Sequence, residues 1–304
     1  MRKISFLLIG FIVALTFSCN NDQNPAEITG DFDIPDSLLQ ETDSVPEISS
    51  QSMDDLVQNI SSPIEIASLI KETGSKFSPE LLASTNNLDK YNTSFKRSLN
   101  LGVLGADLGY LNLYSQNRFI VDYLTAIKSL AEGIKVGQFF DFKTLKELAT
   151  SGENLDSLTY LSVHSFNKID KYLRDNHRSN ISVLIIVGVW IEGMYFATQI
   201  NDQVKIKEIS DRIAEQKIIL NNIILILKNY KGDSEFQKLL NQLIKLKEIY
   251  EPVEITYELG EPETVEQDGV LTVVQNEKSI ITITEKDLEN IKNQITEIRY
   301  NIVN

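Results

Sequence analysis

Residues 181–200 constrain this chain most, because Glu192 is the only charged side chain in that twenty-residue stretch. A run of about 20 apolar residues is what a helix needs to cross a bilayer. A carboxylate at its midpoint is expensive in lipid. In a water-soluble body, by contrast, a helix that is apolar all round is the enclosed one. The segment therefore predicts a buried central helix. Gly188, Glu192, Tyr195 and Gln199 share one face of it, while Trp190, Gly193 and Ala197 share another. Trp190 is thus expected to point away from Glu192.

A helical body is predicted around that segment. From Leu56 onward apolar residues recur at spacings of three and four, the helix period. Ser62-Pro63-Ile64-Glu65 reads as a capping box with proline at the first helical position, Gly74 as the stop of that helix, and Ser78-Pro79-Glu80 as a second start. Further helices are expected over 87–115, 118–134, 142–148, 155–175, 180–201, 205–230 and 234–250. Their short connections predict antiparallel hairpins. After Pro252 the period changes, and 253–258, 270–275 and 280–284 read as short strands, with a turn at Asp268-Gly269. Thr284-Glu285-Lys286-Asp287 opens a last helix running to about residue 302. The expected fold is mostly α: a bundle of antiparallel helical hairpins with a small C-terminal β element and a closing helix. Residues 53–250 form the helical domain, and 251–304 form the strand region and the helix packed on it. The nine acids and no base between Lys247 and Lys278 read as a solvated acidic loop or a partner-facing surface. The glycine-spaced run 101–114 faintly resembles a tetratricopeptide helix, but the pattern does not recur at a fixed period.

Polar residues inside apolar helices are the candidate site. In 101–114, Gly102, Gly105 and Gly109 lie on one side, with Asp107, Tyr110, Leu111 and Tyr114 broadly opposite. An interior glycine costs about 1 kcal/mol relative to alanine, so three together imply that another backbone comes close. Asp107 and Glu192 have two readings. Either they are satisfied within tight helix packing by Tyr, Lys or Arg, or Asp107, Tyr110, Tyr114, Glu192 and Tyr195 line one pocket for a polar ligand or cation.

The first residues predict a location. Arg2 and Lys3 precede an apolar run over 4–17, too short to span comfortably, and the polar run 20–24 follows. The only cysteine, Cys19, ends Leu15-Thr16-Phe17-Ser18-Cys19, which resembles a loose bacterial lipobox. Residues 1–18 are then a lipoprotein signal peptide and Cys19 carries the lipid, so the mature chain keeps no thiol to pair and must stand on its core. Ten of the 43 acids fall between Cys19 and Leu56, and the next base after Lys3 is Lys71. With three prolines, residues 19–52 have the composition of a flexible tether. The rest of the chain sits near −6 against the full −14. Such a tether reaches roughly 30 Å, and its charge repels anionic headgroups within about a Debye length of the surface. The acids Asp31, Asp33 and Asp36 lack the glycine and distal glutamate of a calcium loop.

Signal, loose lipobox, acidic tether and Asn-, Ile- and Lys-rich helices together resemble the uncharacterised lipoproteins abundant in Bacteroidota. The resemblance rests mainly on residues 1–24, with the helices around 102–114 and 188–195 in keeping. It implies lipid attachment to the cell envelope, and Asn20 is compatible with outer-membrane sorting. It implies no known activity. His164 and His177 are the only histidines, with no zinc spacing, no nucleophile elbow and no phosphate-binding glycine loop. No cofactor is expected, and an acidic chain of pI near 4.7 argues against nucleic acid. Two functions follow: a lipid-anchored binding or scaffolding module meeting an envelope protein, or a tethered small-ligand carrier or hydrolase using the carboxylate–aromatic cluster.

Overall fold

The computed structural model describes residues 70–71, 74–151, 155–260, 263–267, 270–274 and 277–304. The signal peptide, Cys19, the acidic tether, the Ser62 capping box and the Asp268-Gly269 turn lie outside them. The described chain is mostly α. Its helices are α1 (Ser94–Leu113), α2 (Asn117–Gly133), α3 (Phe142–Ser151), α4 (Leu155–Asp175), α5 (Ser179–Val204), α6 (Lys207–Lys228), α7 (Ser234–Tyr250) and α8 (Glu285–Val303). Four strands, β1 (Glu254–Leu259), β2 (Glu263–Gln267), β3 (Val270–Val274) and β4 (Glu277–Thr282), separate α7 from α8.

Helix α5 contains the segment predicted to be central, and it packs against α1, α4, α6 and α8. By length and composition it could cross a membrane, yet 83% of its most apolar window is buried inside the protein. Trp190 does point away from Glu192, giving its indole N–H to Gln216 on α6 at 2.9 Å. The closest approach is between α1 and α5. A Cβ on Gly102 would lie 2.1 Å from the Ile185 carbonyl oxygen, and one on Gly188 would lie 2.1 Å from that of Leu99. Backbone against backbone leaves no room for either methyl. Of the three glycines expected to share that role, Gly102 alone meets backbone. Gly105 faces the Phe166 ring at 3.1 Å, and Gly109 has nothing within 4 Å.

Two other expectations are corrected. The helix expected over 87–115 begins only at Ser94. Thr85–Lys90 is a 3₁₀ turn, and Thr93 caps α1 by accepting the Lys96 N–H at 3.2 Å. Asn86, Asn87, Asn92 and Thr93 prefer caps and turns to helix interiors, which breaks the run there. The proline start at Ser78 likewise yields only a three-residue 3₁₀ turn, Pro79–Leu81.

The acidic stretch after α7 is strand where loop was one expectation. β1 pairs antiparallel with β4, from Glu254 opposite Thr282 to Leu259 opposite Glu277. β2 pairs with β3, from Glu263 opposite Val274 to Gln267 opposite Val270. β2 went unread because its glutamates mask the extended Thr264-Val265 pair. Val253 is buried, and Ile255, Ile281 and Ile283 pack partly against the core, so the ribbon is rooted at its base. Further out, Tyr257 is 44% exposed and Ile280 39%. Lys217 holds the α7–β1 connection by donating to the Val253 carbonyl at 2.8 Å. Thr284 and Asp287 form the expected capping box that starts α8.

Candidate functional site

Residues 75–91 run across the helices ahead of α1 as a strap with two short 3₁₀ turns. Beneath the strap lie the two carboxyls singled out in the sequence. Asp107 on α1 and Glu192 on α5 have no exposed surface. Burying one carboxylate unpaired is costly, and two side by side cost more. Arg299, on α8, supplies the compensation. Its Nε donates to Glu192 Oε2 at 2.6 Å and its Nη2 to Oε1 at 2.7 Å, a bidentate pair. The guanidinium lies 4.1 Å over the Tyr195 ring. Nη2 also donates to the Leu81 carbonyl in the strap, at 2.8 Å.

Asp107 completes the cluster from the other side. Its Oδ2 accepts the Ala83 N–H at 3.2 Å. Its Oδ1 is buried and takes no hydrogen bond from a described N–H or from another side chain's own proton. Burial, reinforced by the Glu192 charge, holds the Asp107 carboxyl well above the usual range, which favours its protonated form. The side-chain interaction with Glu192 raises Asp107 further and lowers Glu192. Burial also raises Glu192, opposed by the Arg299 charge and its hydrogen bonds. For Arg299, burial works against the charge, but Glu192 outweighs it and the guanidinium is held above its ordinary value. The Glu192 carboxylate and the Arg299 guanidinium thus form a bidentate pair, with the raised Asp107 carboxyl beside them.

The tyrosines of the candidate pocket face the strap. Tyr110 stacks on Phe196 with ring centroids 4.6 Å apart, and its hydroxyl accepts the Ser78 N–H at 3.1 Å. The Tyr114 hydroxyl bonds Ser75 Oγ at 2.8 Å. Phe77 packs against both rings, with centroids 5.5 and 5.8 Å away. Of the five predicted residues, Asp107, Tyr110 and Tyr114 bond the strap, Glu192 pairs with Arg299, and Tyr195 lies under the Arg299 guanidinium.

Sequence reasoning missed Arg299, Tyr123 and Tyr91. Tyr123 on α2 donates to the Ala83 carbonyl at 2.5 Å, and burial pushes its hydroxyl far up. Tyr91 donates to the Val303 carbonyl at 2.9 Å, beside Asn87 at 2.8 Å, and Asn100 bonds the Ile302 carbonyl at 3.0 Å. Those bonds satisfy two carbonyls that the end of α8 would leave bare. Burial raises Tyr91 to about 12. One signal bears on Arg299: it lies beside the apolar stripe Ile291, Ile295, Ile298, Ile302 of its helix, one turn beyond Ile295.

Among the described residues, no group of three or more His, Cys, Asp or Glu is placed to hold a metal ion. A separate cleft of about 380 Å³ lies between the end of α5 and the start of α8, lined by Asn201, Asp202, Lys205, Glu285 and Lys292 among others. Its charges pair across it, Lys292 with Asp202 at 2.9 Å and Lys205 with Glu285 at 3.7 Å. No protein-family model matches this chain, and neither a curated protein nor a solved structure matches it.

Proposed function

We propose that this chain is a lipid-anchored protein of the cell envelope, sorted to the outer membrane, that acts as a binding or scaffolding module. The single observation that carries the reading is the state of its ionisable centre. Asp107 and Glu192 are fully buried, neutralised by Arg299 and covered by the strap. A hydrolase or small-ligand carrier built on those carboxyls needs a path from solvent to them. What the body offers outward is surface, including the β1 strand of the ribbon rooted at Val253, where Glu254, Tyr257 and Glu258 are exposed. Two-stranded ribbons with open edges suit recognition by strand pairing, and a base-free acidic segment steers basic partners. The lipid on Cys19 and the acidic tether hold that surface off the membrane.

The test is photo-crosslinking in producing cells, with a photoreactive amino acid in place of Tyr257. A discrete protein adduct is expected there and none from the same group at Lys228, at the far end of α6. Only uncrosslinked chain from the Tyr257 position would reject the binding reading.

A further inference from the structure

We infer that the floor beneath residues 75–91 is a groove for an extended peptide, closed in cis by the chain's own strap, and that a partner's extended segment binds by displacing it. The inference rests on the binding-module reading and names a second surface for it. Recognition of the strap is mostly of its backbone. Tyr110 accepts the Ser78 N–H, Arg299 donates to the Leu81 carbonyl, and Asp107 and Tyr123 take the N–H and carbonyl of Ala83. Side chains from α1, α2 and α8 thus read main-chain groups that every peptide carries. Sequence enters at three strap positions: Phe77 among Tyr110, Tyr114 and Phe119, then buried Leu81 and Ala83. The ligand class is therefore a segment that is extended between short turns, with an aromatic residue four positions before a leucine and six before a small residue.

Two features suit the strap to leaving. Its own regular structure is two short 3₁₀ turns, Pro79–Leu81 and Thr85–Lys90, with no α-helix or strand, and such segments open at lower free energy than packed helices. α1 is capped separately by Thr93, so the strap can lift without unwinding the helix behind it. The floor also favours opening. Asp107, Glu192 and Arg299 all regain hydration when uncovered, whereas an apolar floor would bind its cover through burial alone.

The test uses the full chain and a fluorescein-labelled synthetic peptide of residues 75–91, read by fluorescence anisotropy. In the wild type the covalent strap competes at an effective concentration of about millimolar, so the added peptide binds weakly. Ala83→Pro removes the strap's N–H to Asp107 and leaves the floor intact. Leu82 is already extended, as a residue before proline must be. That variant, and separately Phe77→Ala, is expected to bind the peptide at least about tenfold tighter than wild type. Adding Tyr123→Phe to Ala83→Pro reverses the gain, because the floor loses its donor to the peptide carbonyl. A scrambled peptide does not bind. The inference is overturned if folded strap variants show no gain or bind the scrambled peptide equally. It is also overturned if circular dichroism finds both strap variants unfolded, since the strap would then belong to the core. The Tyr257 crosslink reads a different surface, so either test can fail alone.

Discussion

At the scale of single residues, the centre of this protein depends on one proton. Folding raises the Asp107 carboxyl well above its unfolded value of about 3.9, through burial and the Glu192 charge. A carboxyl raised on folding contributes stability that is complete below the unfolded value and lost as pH climbs toward the folded one. Glu192 shifts in the same direction. An asparagine in place of Asp107 would copy the protonated acid, accepting from Ala83 and donating to Glu192, without a proton to lose. The Asp107→Asn variant is therefore expected to gain on wild type as pH rises from 4 to 8, by at most about 1.4 kcal/mol per pH unit. Parallel curves of Tm against pH for the two proteins would refute this. Glu192→Gln has the opposite sign at every pH, because it strands the Arg299 charge, and about 3–5 kcal/mol is expected to go. Both carboxyls were legible because each interrupts an apolar helix. Their partner was not: Arg299 lies 107 residues beyond Glu192, and periodicity along one helix says nothing about which other helix faces it.

At the scale of elements, the crossing of α1 and α5 fixes the rest. Glycine clustering correctly implied a close backbone, but spacing could not tell which glycine touches it. The partner contact comes from Gly188, on a helix whose own glycines drew no comment for packing. Alanine substitution separates the positions. At Gly102 the new methyl meets a carbonyl that cannot move without parting the helices, so a loss of about 1–3 kcal/mol is expected despite better helix propensity. Gly188→Ala should match it, since its methyl meets Leu99 in the same way. At Gly109, which is exposed and open, the same change should gain up to about 1 kcal/mol. Urea denaturation of the three variants checks the order, and a stabilised Gly102→Ala would mean that the helices do not pack this closely. The ribbon was half legible for a related reason. Strand signals need alternation, and β2 is mostly polar, so only its pairing with β3 reveals it.

At the scale of the whole molecule, the proposed anchor on Cys19 is expected to be separable from the body, and that can be measured. Cys19 lies fifty-one residues before the buried Ile70. The sequence has no other cysteine, so a lipid on Cys19 would compete with no disulfide of the body. Two or more acyl chains hold a protein on a membrane durably, where a single chain does so only marginally. Replacement of Cys19 by alanine should therefore move the protein from the membrane to the soluble fraction and abolish incorporation of labelled palmitate. The Tm should not change, because the body near −6 carries its own core and the acids of the tether interact with it weakly at physiological salt. Retention of the alanine variant in the membrane fraction would refute the lipid anchor. A fall in Tm alongside release would instead mean that the segment after Cys19 packs on the body, and the roughly 30 Å of reach assigned to it would shrink accordingly. Because the strap joins that segment to α1, the same variant also tests whether anchorage bears on the groove. Peptide binding by the Ala83→Pro chain should be equal with and without Cys19 if the tether is slack.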